Sequence, residues 1–449
     1  MRATLITSPY LNRREYACTP LGVASLASSL DKEGIDVNII DATALSFSIE
    51  QIVKELRRNN TDVVGISAMS SDIRTAVFLA REIKKEFPDL PIILGGHHAT
   101  YDYGNIGKYD CFDHIFVGEG EISFPQMLQS IEKGEQVSKV VFGKSAENLD
   151  ELPLPMHNLL PIQNYFLPYT REIPSYVGNT RGCIFKCRFC SINKHIRWRS
   201  VDKVVEEITI LKDKYNVGWI EFSDALFAID RRHAAKLCDA MIENKIDIEW
   251  GCQTRVGFVD RTLGQKMFKA GCRMVSLGIE SGSYRIRQII GKPFTDIQVK
   301  EAVDAISWAG IEISGLFILG FPDETFDEMM QTVKMGMKLK LDYAQFVPLH
   351  LYPGTFFFED LVNKGELKRD AWNDFIDGER TPIYIPKHFS EPEYFNFLDS
   401  VNKNFYFRAS VILSKMRKIK NMQDIKRYIY YSKFLTNYIK SKMWKMKSA

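Results

Sequence analysis

Three cysteines carry the chemistry that stands out in this chain. The run Arg181-Gly-Cys-Ile-Phe-Lys-Cys-Arg-Phe-Cys190 places thiols at Cys183, Cys187 and Cys190, separated by three residues and then by two. One compact loop can turn all three toward a point. Three thiolates leave one iron of a cubane iron–sulfur cluster without a protein ligand, whereas an electron-transfer cluster takes four. An iron left open in this way can chelate a small molecule. Spacing alone also admits a zinc site, with His195 completing a Cys3His set, or three unrelated thiols. The other five cysteines (Cys18, Cys111, Cys238, Cys252, Cys272) are scattered and read as small buried residues. Cys252 and Cys272, in or near predicted strands, also admit a catalytic role.

A ligand-holding loop needs rigid elements behind it. From about Tyr176 short apolar runs alternate with helical patterns. They predict strands at Tyr176–Thr180, Trp219–Ser223, Ile248–Gln253, Met274–Gly278, Ile313–Leu319 and Tyr343–Val347. Two of the intervening helices begin with capping-box patterns, Thr262 with Gln265 and Thr325 with Glu328. Six such β/α units over residues 176–370 predict a barrel, complete or partial, with its site at the C-terminal mouth of the strands. The trio follows the first of these strands. Residues 1–145 also alternate strand and helix, with apolar runs at Val37–Asp41, Val63–Ser67, Ile92–Gly95 and His114–Val117. That pattern predicts a doubly wound, flavodoxin-like parallel sheet with its ligand at the carboxyl ends of the strands. Residues 146–175 hold five prolines and little periodicity, and read as a linker. Residues 371–449 read as mostly helical.

With the trio placed after a first barrel strand, the chain resembles the radical S-adenosylmethionine (SAM) superfamily, whose signature is this CxxxCxxC loop. The resemblance covers nearly the whole chain and is greatest to the branch with an N-terminal cobalamin-binding domain, the class B methylases and anaerobic cyclases. It implies a 4Fe-4S cluster on Cys183, Cys187 and Cys190, whose open iron binds SAM and cleaves it to a 5′-deoxyadenosyl radical. It also implies roles for residues at the strand ends. Asp224, with Glu221 as the alternative, would contact the SAM amino group. Arg255 would pair with the SAM carboxylate, unless it forms a structural ion pair. Glu280 and Ser281 would meet the ribose or methionine, and Gly320 belongs to the stretch that passes the adenine. In the N-terminal domain the segments Pro20–Ala27, Gly95–Thr100 and Val117–Glu121 resemble the cobalamin branch. Gly95 and Gly96 would let a corrin lie against backbone, and His98 or Thr100 would hydrogen-bond its amide arms. No histidine precedes His97, so the DxHxxG loop of many cobalamin proteins is missing, and the Met69–Asp72 loop becomes the candidate for the lower face.

The 449 residues suffice for two or three domains, and 45% hydrophobic with 26% charged content fits a globular protein. No apolar stretch is long enough to span a bilayer, and no export signal is evident, so a cytoplasmic location is expected. The net charge of +3 hides an asymmetry: from about Asn402 onward Asp424 is the only acid among many Lys and Arg, so the rest of the chain is net acidic. The runs Arg408–Lys420 and Ile425–Tyr431 mix these cations with apolar residues at helical spacing, which suits either an anionic membrane surface or a helical cap on the barrel. No nucleic-acid recognition module accompanies the charge. The leading function is cobalamin-dependent methylation of an unactivated carbon of a small-molecule or lipid substrate, with an electron donor such as flavodoxin or ferredoxin. The alternatives are a radical cyclase, oxidase or rearrangement enzyme, and a cobalamin-responsive binding protein without turnover.

Overall fold

The computed structural model describes residues 1–9, 17–167, 169–379, 381–409, 411–413 and 422. Its first sheet comprises β1 (Arg2–Thr7), β2 (Asp36–Asp41), β3 (Val63–Ser67), β4 (Ile92–Gly95), β5 (His114–Val117) and β6 (Val140–Phe142). All pairings are parallel, in the order 2-1-3-4-5-6. This is the flavodoxin-like order extended by one edge strand, with the order reversing between β1 and β3. Alternate residues face opposite sides, and both sides are covered. Leu5 and Val63 pack with Ala24, Phe124 and Leu128, while Ile6 and Val64 pack with Ile52, Leu56 and Ile73.

Between the two sheets, three 3-10 turns, at Leu149–Glu151, His157–Leu159 and Ile162–Asn164, carry the proline-rich segment. The second unit opens with β7 (Pro174–Val177), followed by a short antiparallel pair, β8 (Thr180–Arg181) and β9 (Arg197–Trp198). Next come β10 (Trp219–Phe222), β11 (Glu249–Arg255), β12 (Cys272–Glu280), β13 (Glu312–Leu319) and β14 (Tyr343–Pro348). The larger sheet runs β14-β13-β12-β11-β10-β7, parallel throughout, and is a six-stranded partial barrel. The predicted first strand, Tyr176–Thr180, is interrupted: the chain leaves the sheet after Val177, and Thr180 belongs to the short pair.

Strand alternation decides which side chains face the barrel's interior. Ile220, Cys252, Val275, Ile313 and Phe346 point outward into the main core. Their neighbours Trp219, Glu221, Gln253, Arg255, Met274, Ser276, Ser314, Tyr343 and Gln345 therefore face the lumen. Gln253 and Gln345 are exposed although they sit in mid-strand, because that lumen is open. The capping box at Thr325 is present, with Glu328 at its third position. The one expected at Thr262 is not: the helix is capped two residues earlier, where the Asp260 carboxylate accepts from the Leu263 N–H. Of the scattered cysteines, Cys111, Cys238, Cys252 and Cys272 are buried, whereas Cys18 is exposed. The helix Glu391–Tyr406 closes the free edge of β14. Asn402 accepts from Phe346 N (3.2 Å) and donates to Phe346 O (2.9 Å), and the Tyr406 hydroxyl does the same for Ala344 (3.2 and 2.7 Å). Side chains thus take the place of a seventh strand. The basic tail of residues 414–449 lies outside the described residues, apart from Met422.

Candidate functional site

The trio loop is pinched at its base by β8 and β9, where Thr180 faces Trp198 and Arg181 faces Arg197. Gly182 turns the chain with φ of +90°, and a Cβ there would lie 2.1 Å from the His195 carbonyl oxygen, so no other residue fits. Inside the loop, Cys183 N donates to Asn193 O at 2.9 Å and Cys190 N to Cys187 O at 3.1 Å. The three thiols are half-buried. Burial pushes the Cys190 thiol up, and Cys187 and Cys183, close enough to interact, push the same way. Among the described residues no three His, Cys, Asp or Glu side chains converge on one metal ion. A cubane asks for something wider, because each thiolate binds a different iron. The His195 side chain is exposed, 3.8 Å from Glu147.

Arg255, at the end of β11, is brought to the trio. Its Nη1 lies 3.6 Å from Cys187 Sγ, its Nη2 donates to Gly291 O at 3.0 Å, and its guanidinium stacks 4.1 Å above the Phe185 ring. A planar cation there complements the negative charge of a thiolate-ligated cluster. Glu280 lies in the left-handed region (φ 66°) beyond a bulge in β12, a conformation that costs a non-glycine residue about 1–3 kcal/mol. Lys292 holds it, Nζ to Oε1 at 2.7 Å.

The carboxylates at the end of β10 have separate tasks. Asp224 is fully buried and accepts from Thr180 Oγ1 (2.5 Å) and Asn179 N (3.1 Å), so it braces the turn between β7 and β8; burial raises its pKa to about 6 against those bonds. Glu221 faces the lumen, accepting from Trp219 Nε1 and Tyr169 OH, each at 3.1 Å, and burial raises it to about 7. Two further residues expected at the site point elsewhere. The Ser281 hydroxyl meets Thr332 Oγ1 (3.1 Å) and accepts from Ser283 N (3.1 Å), because the bulge at Glu280 ends the strand alternation before it. Gly320 faces Pro386 and Tyr394, whose nearest atoms would lie 2.7 Å from a Cβ, so its freedom serves packing against the C-terminal segment.

The barrel's mouth meets the carboxyl ends of the first sheet around a cavity of about 480 Å³. Gly95, Gly96 and Thr100 line it, together with Gly118, Glu119 and Glu121, opposite Thr180, Arg181 and Asn193. Gly96 has φ of +94°, and a Cβ there would lie 2.7 Å from the Ala68 carbonyl. Thr100 Oγ1 donates to Gly96 O and accepts from Gly118 N, joining two of the cradling loops. Such a glycine-lined hollow at the switch point fits a large flat group approaching backbone. His98 is not part of it. It is buried beside Trp372 with Nδ1 3.0 Å from Ser70 Oγ, and burial, with His97 adding to it, lowers its pKa to about 3. A 3.5 Å approach of its Nε2 to Asp102 makes no hydrogen bond. Adjacent helical residues point about 100° apart, so His97 lines the cavity instead. Met69 is exposed on the loop after β3, off the cavity wall.

Sequence reasoning missed the contacts between the loops. Glu119 and Glu121 bind Arg181 and Arg197, while His97 and Tyr101 reach Ser191. Burial raises the Glu119 carboxyl, but Arg197 and Arg181 outweigh it and hold the group below its ordinary range. The acid-free run from 181 to 200, with six Lys and Arg, was the available signal.

Residues 7–128 match the family model of the B12 binding domain, and residues 179–336 that of the radical SAM superfamily. An uncharacterized methyltransferase of Pyrococcus horikoshii is 33% identical over 415 residues, spanning 88% of this chain and 89% of its own. The anaerobic magnesium-protoporphyrin IX monomethyl ester cyclase of Rubrivivax gelatinosus is 28% identical, spanning 86% and 73%. Among solved structures, the cobalamin-dependent SAM radical enzyme OxsB with aqua-cobalamin bound superposes with a TM-score of 0.71, covering 96% of this chain and 71% of that one. At 16% identity that likeness speaks to the fold alone.

Proposed function

The chain belongs to the radical SAM superfamily, in the branch that carries a B12-binding domain, and from that premise we propose that it methylates an unactivated carbon of a small-molecule substrate. The observation that supports this reading best is the shared cavity: strand-end glycines of the first sheet and the base of the trio loop line one space. A substrate carbon radical that is to gain a methyl group needs a methyl donor, and the 33% identical relative is named a methyltransferase. When bound, the cluster and SAM supply the radical and the corrin supplies the methyl group. The chain's own part is to bind, orient and exclude water. Cys183, Cys187 and Cys190 would hold the cluster, with Arg255 beside it. Glu280 and the lumen groups Glu221 and Gln253 offer partners for an amino acid headgroup, and Asp224 braces the loop's base. Gly95, Gly96 and Thr100 would carry the corrin. The same reading requires a one-electron donor of the flavodoxin or ferredoxin class. A second reading, radical cyclisation without methyl transfer, is favoured by the 28% identical cyclase.

Product mass and isotope decide between them. SAM bearing a deuterated methyl group, given to the anaerobically reconstituted protein with cobalamin and substrate, should place deuterated methyl in the product. 5′-Deoxyadenosine and S-adenosylhomocysteine should appear in comparable amounts. Substrate consumption with 5′-deoxyadenosine but without added methyl would establish the second reading. The Cys183→Ala, Cys187→Ala, Cys190→Ala triple variant is the control, and retention of about four irons in it would remove the cluster assignment.

A further inference from the structure

The trio loop is held at three points by the other domain. At its entry, Arg181 reaches Glu119 (Nη1–Oε2, 3.3 Å) and Glu121 (Nη2–Oε1, 2.6 Å). At its exit, Arg197 is buried, donates to Ala146 O at 2.6 Å, and forks onto both oxygens of Glu119, one of them at 2.9 Å. One carboxylate therefore ties together the two strands that pinch the loop. In the middle, Ser191, the residue after Cys190, is gripped twice: its Oγ lies 2.9 Å from His97 Nε2, and its carbonyl accepts from the Tyr101 hydroxyl. His97 and Tyr101 are one helical turn apart, their rings 4.8 Å centre to centre, on a helix that begins immediately after Gly96. Forked guanidinium–carboxylate pairs fix orientation as well as distance, so this grip sets where the thiols point and not merely how near they lie.

His97, Tyr101, Glu119, Glu121 and Arg181 all line the shared cavity. Whatever fills that cavity rests against the clamp. The hydrogen bonds and ion pairs that His97, Tyr101, Glu119 and Glu121 make to the loop go to Arg181, Arg197 and Ser191.

We infer that His97, Tyr101, Glu119 and Glu121 are positioning residues for the trio loop, and that filling of the cavity between the domains is felt at Cys183–Cys190 through them. The inference rests on the reading that the trio holds a cluster, and its test separates the two. The variants are Glu119→Gln, which keeps shape but loses the charge shared by two guanidiniums, and Tyr101→Phe, which loses a single hydroxyl. Hydrogen–deuterium exchange of the full-length, metal-free protein comes first. Amides of residues 183–196 should exchange roughly tenfold faster or more in Glu119→Gln, and less so in Tyr101→Phe, with the rest of the barrel unchanged. Unaltered exchange in both variants overturns the clamp. Electron paramagnetic resonance of the reconstituted, reduced protein comes second, with and without hydroxocobalamin. In wild type the cluster signal should shift on cobalamin addition. In Glu119→Gln, with cobalamin raised until the protein is saturated and with iron content as in wild type, the shift should be absent, and Glu119→Asp should restore part of it. An equal shift in wild type and Glu119→Gln overturns the coupling. Failure of wild type to take up iron counts against the cluster reading alone, and the exchange data still decide the clamp. If Glu119→Gln does not fold, Tyr101→Phe decides both measurements.

Discussion

Glu221 shows what a lumen position does to a side chain. Its carboxyl is almost wholly buried, and burial outweighs the bonds from Trp219 and Tyr169, raising its pKa from 4.5 to about 7. A carboxyl whose folded pKa is raised binds protons more tightly in the folded state. Below about pH 4.5 it is protonated folded or unfolded and imposes no penalty. Between there and about pH 7 the unfolded chain ionises first, so stability falls as pH rises, and above pH 7 the loss is complete. Glu221→Gln keeps acceptors for both donors and removes the titration. The variant should therefore gain on wild type between pH 5 and pH 8, by on the order of 2 kcal/mol. Urea unfolding of both proteins at the two pH values measures it, and a constant difference between them would show that Glu221 is not held in this state. A lumen acid that takes up a proton near neutrality is also placed to interact with a bound amino group, since a nearby cation would return it to the charged form.

Elements account for both the successes and the misses of the sequence. Apolar runs of four to eight residues located the barrel strands to within a few residues, because burial on the outer face requires them. The same runs do not reveal how a strand ends. Ser281 and Gly320 stand at strand ends, yet a bulge at Glu280 and the turn after β13 direct them to Thr332 and to Pro386. His98 and His97 are adjacent, and only the start of their helix decides which meets the cavity. The closure of β14 was equally hidden, because Asn402 and Tyr406 read as two polar residues on an amphipathic helix. Their role is testable. Asn402→Leu leaves the Phe346 N–H and carbonyl buried without partners, at about 1–3 kcal/mol for each group. Loss of roughly 2–5 kcal/mol in denaturant unfolding is expected. The exposed Asn404→Leu on the same helix should change stability by less than about 0.5 kcal/mol. Equal effects would mean that the helix contributes apolar packing alone.

At the scale of the whole molecule, the order of the two units and the trio near the start of the second could be read in the sequence, because each unit alternates strand and helix. Their joint could not, since its ion pairs connect residues some 60 to 80 positions apart. Beyond the joint, charge is the remaining large-scale feature. Residues 414–449 hold eleven Lys and Arg against Asp424 alone, and no described helix is long and apolar enough to cross a membrane. Such a segment at the end of a net acidic body favours a separate anionic surface, each cation near an anionic bilayer contributing about 1 kcal/mol. A cut near Asn404 would remove Phe405, which is fully buried, and Tyr406, which closes β14, so it would test folding instead of the tail. A cut after Leu413 spares both. The full-length protein should co-sediment with vesicles containing phosphatidylserine and not with neutral phosphatidylcholine vesicles, and the chain ending at Leu413 should bind neither. Raising salt from roughly 0.1 M to 1 M shortens the screening length from about 10 Å to about 3 Å, and should release the full-length protein. If the shortened chain sediments with anionic vesicles as the full one does, the tail is not the contact. If it unfolds at lower denaturant than the full-length protein, residues 414–449 belong to the barrel's helical cap.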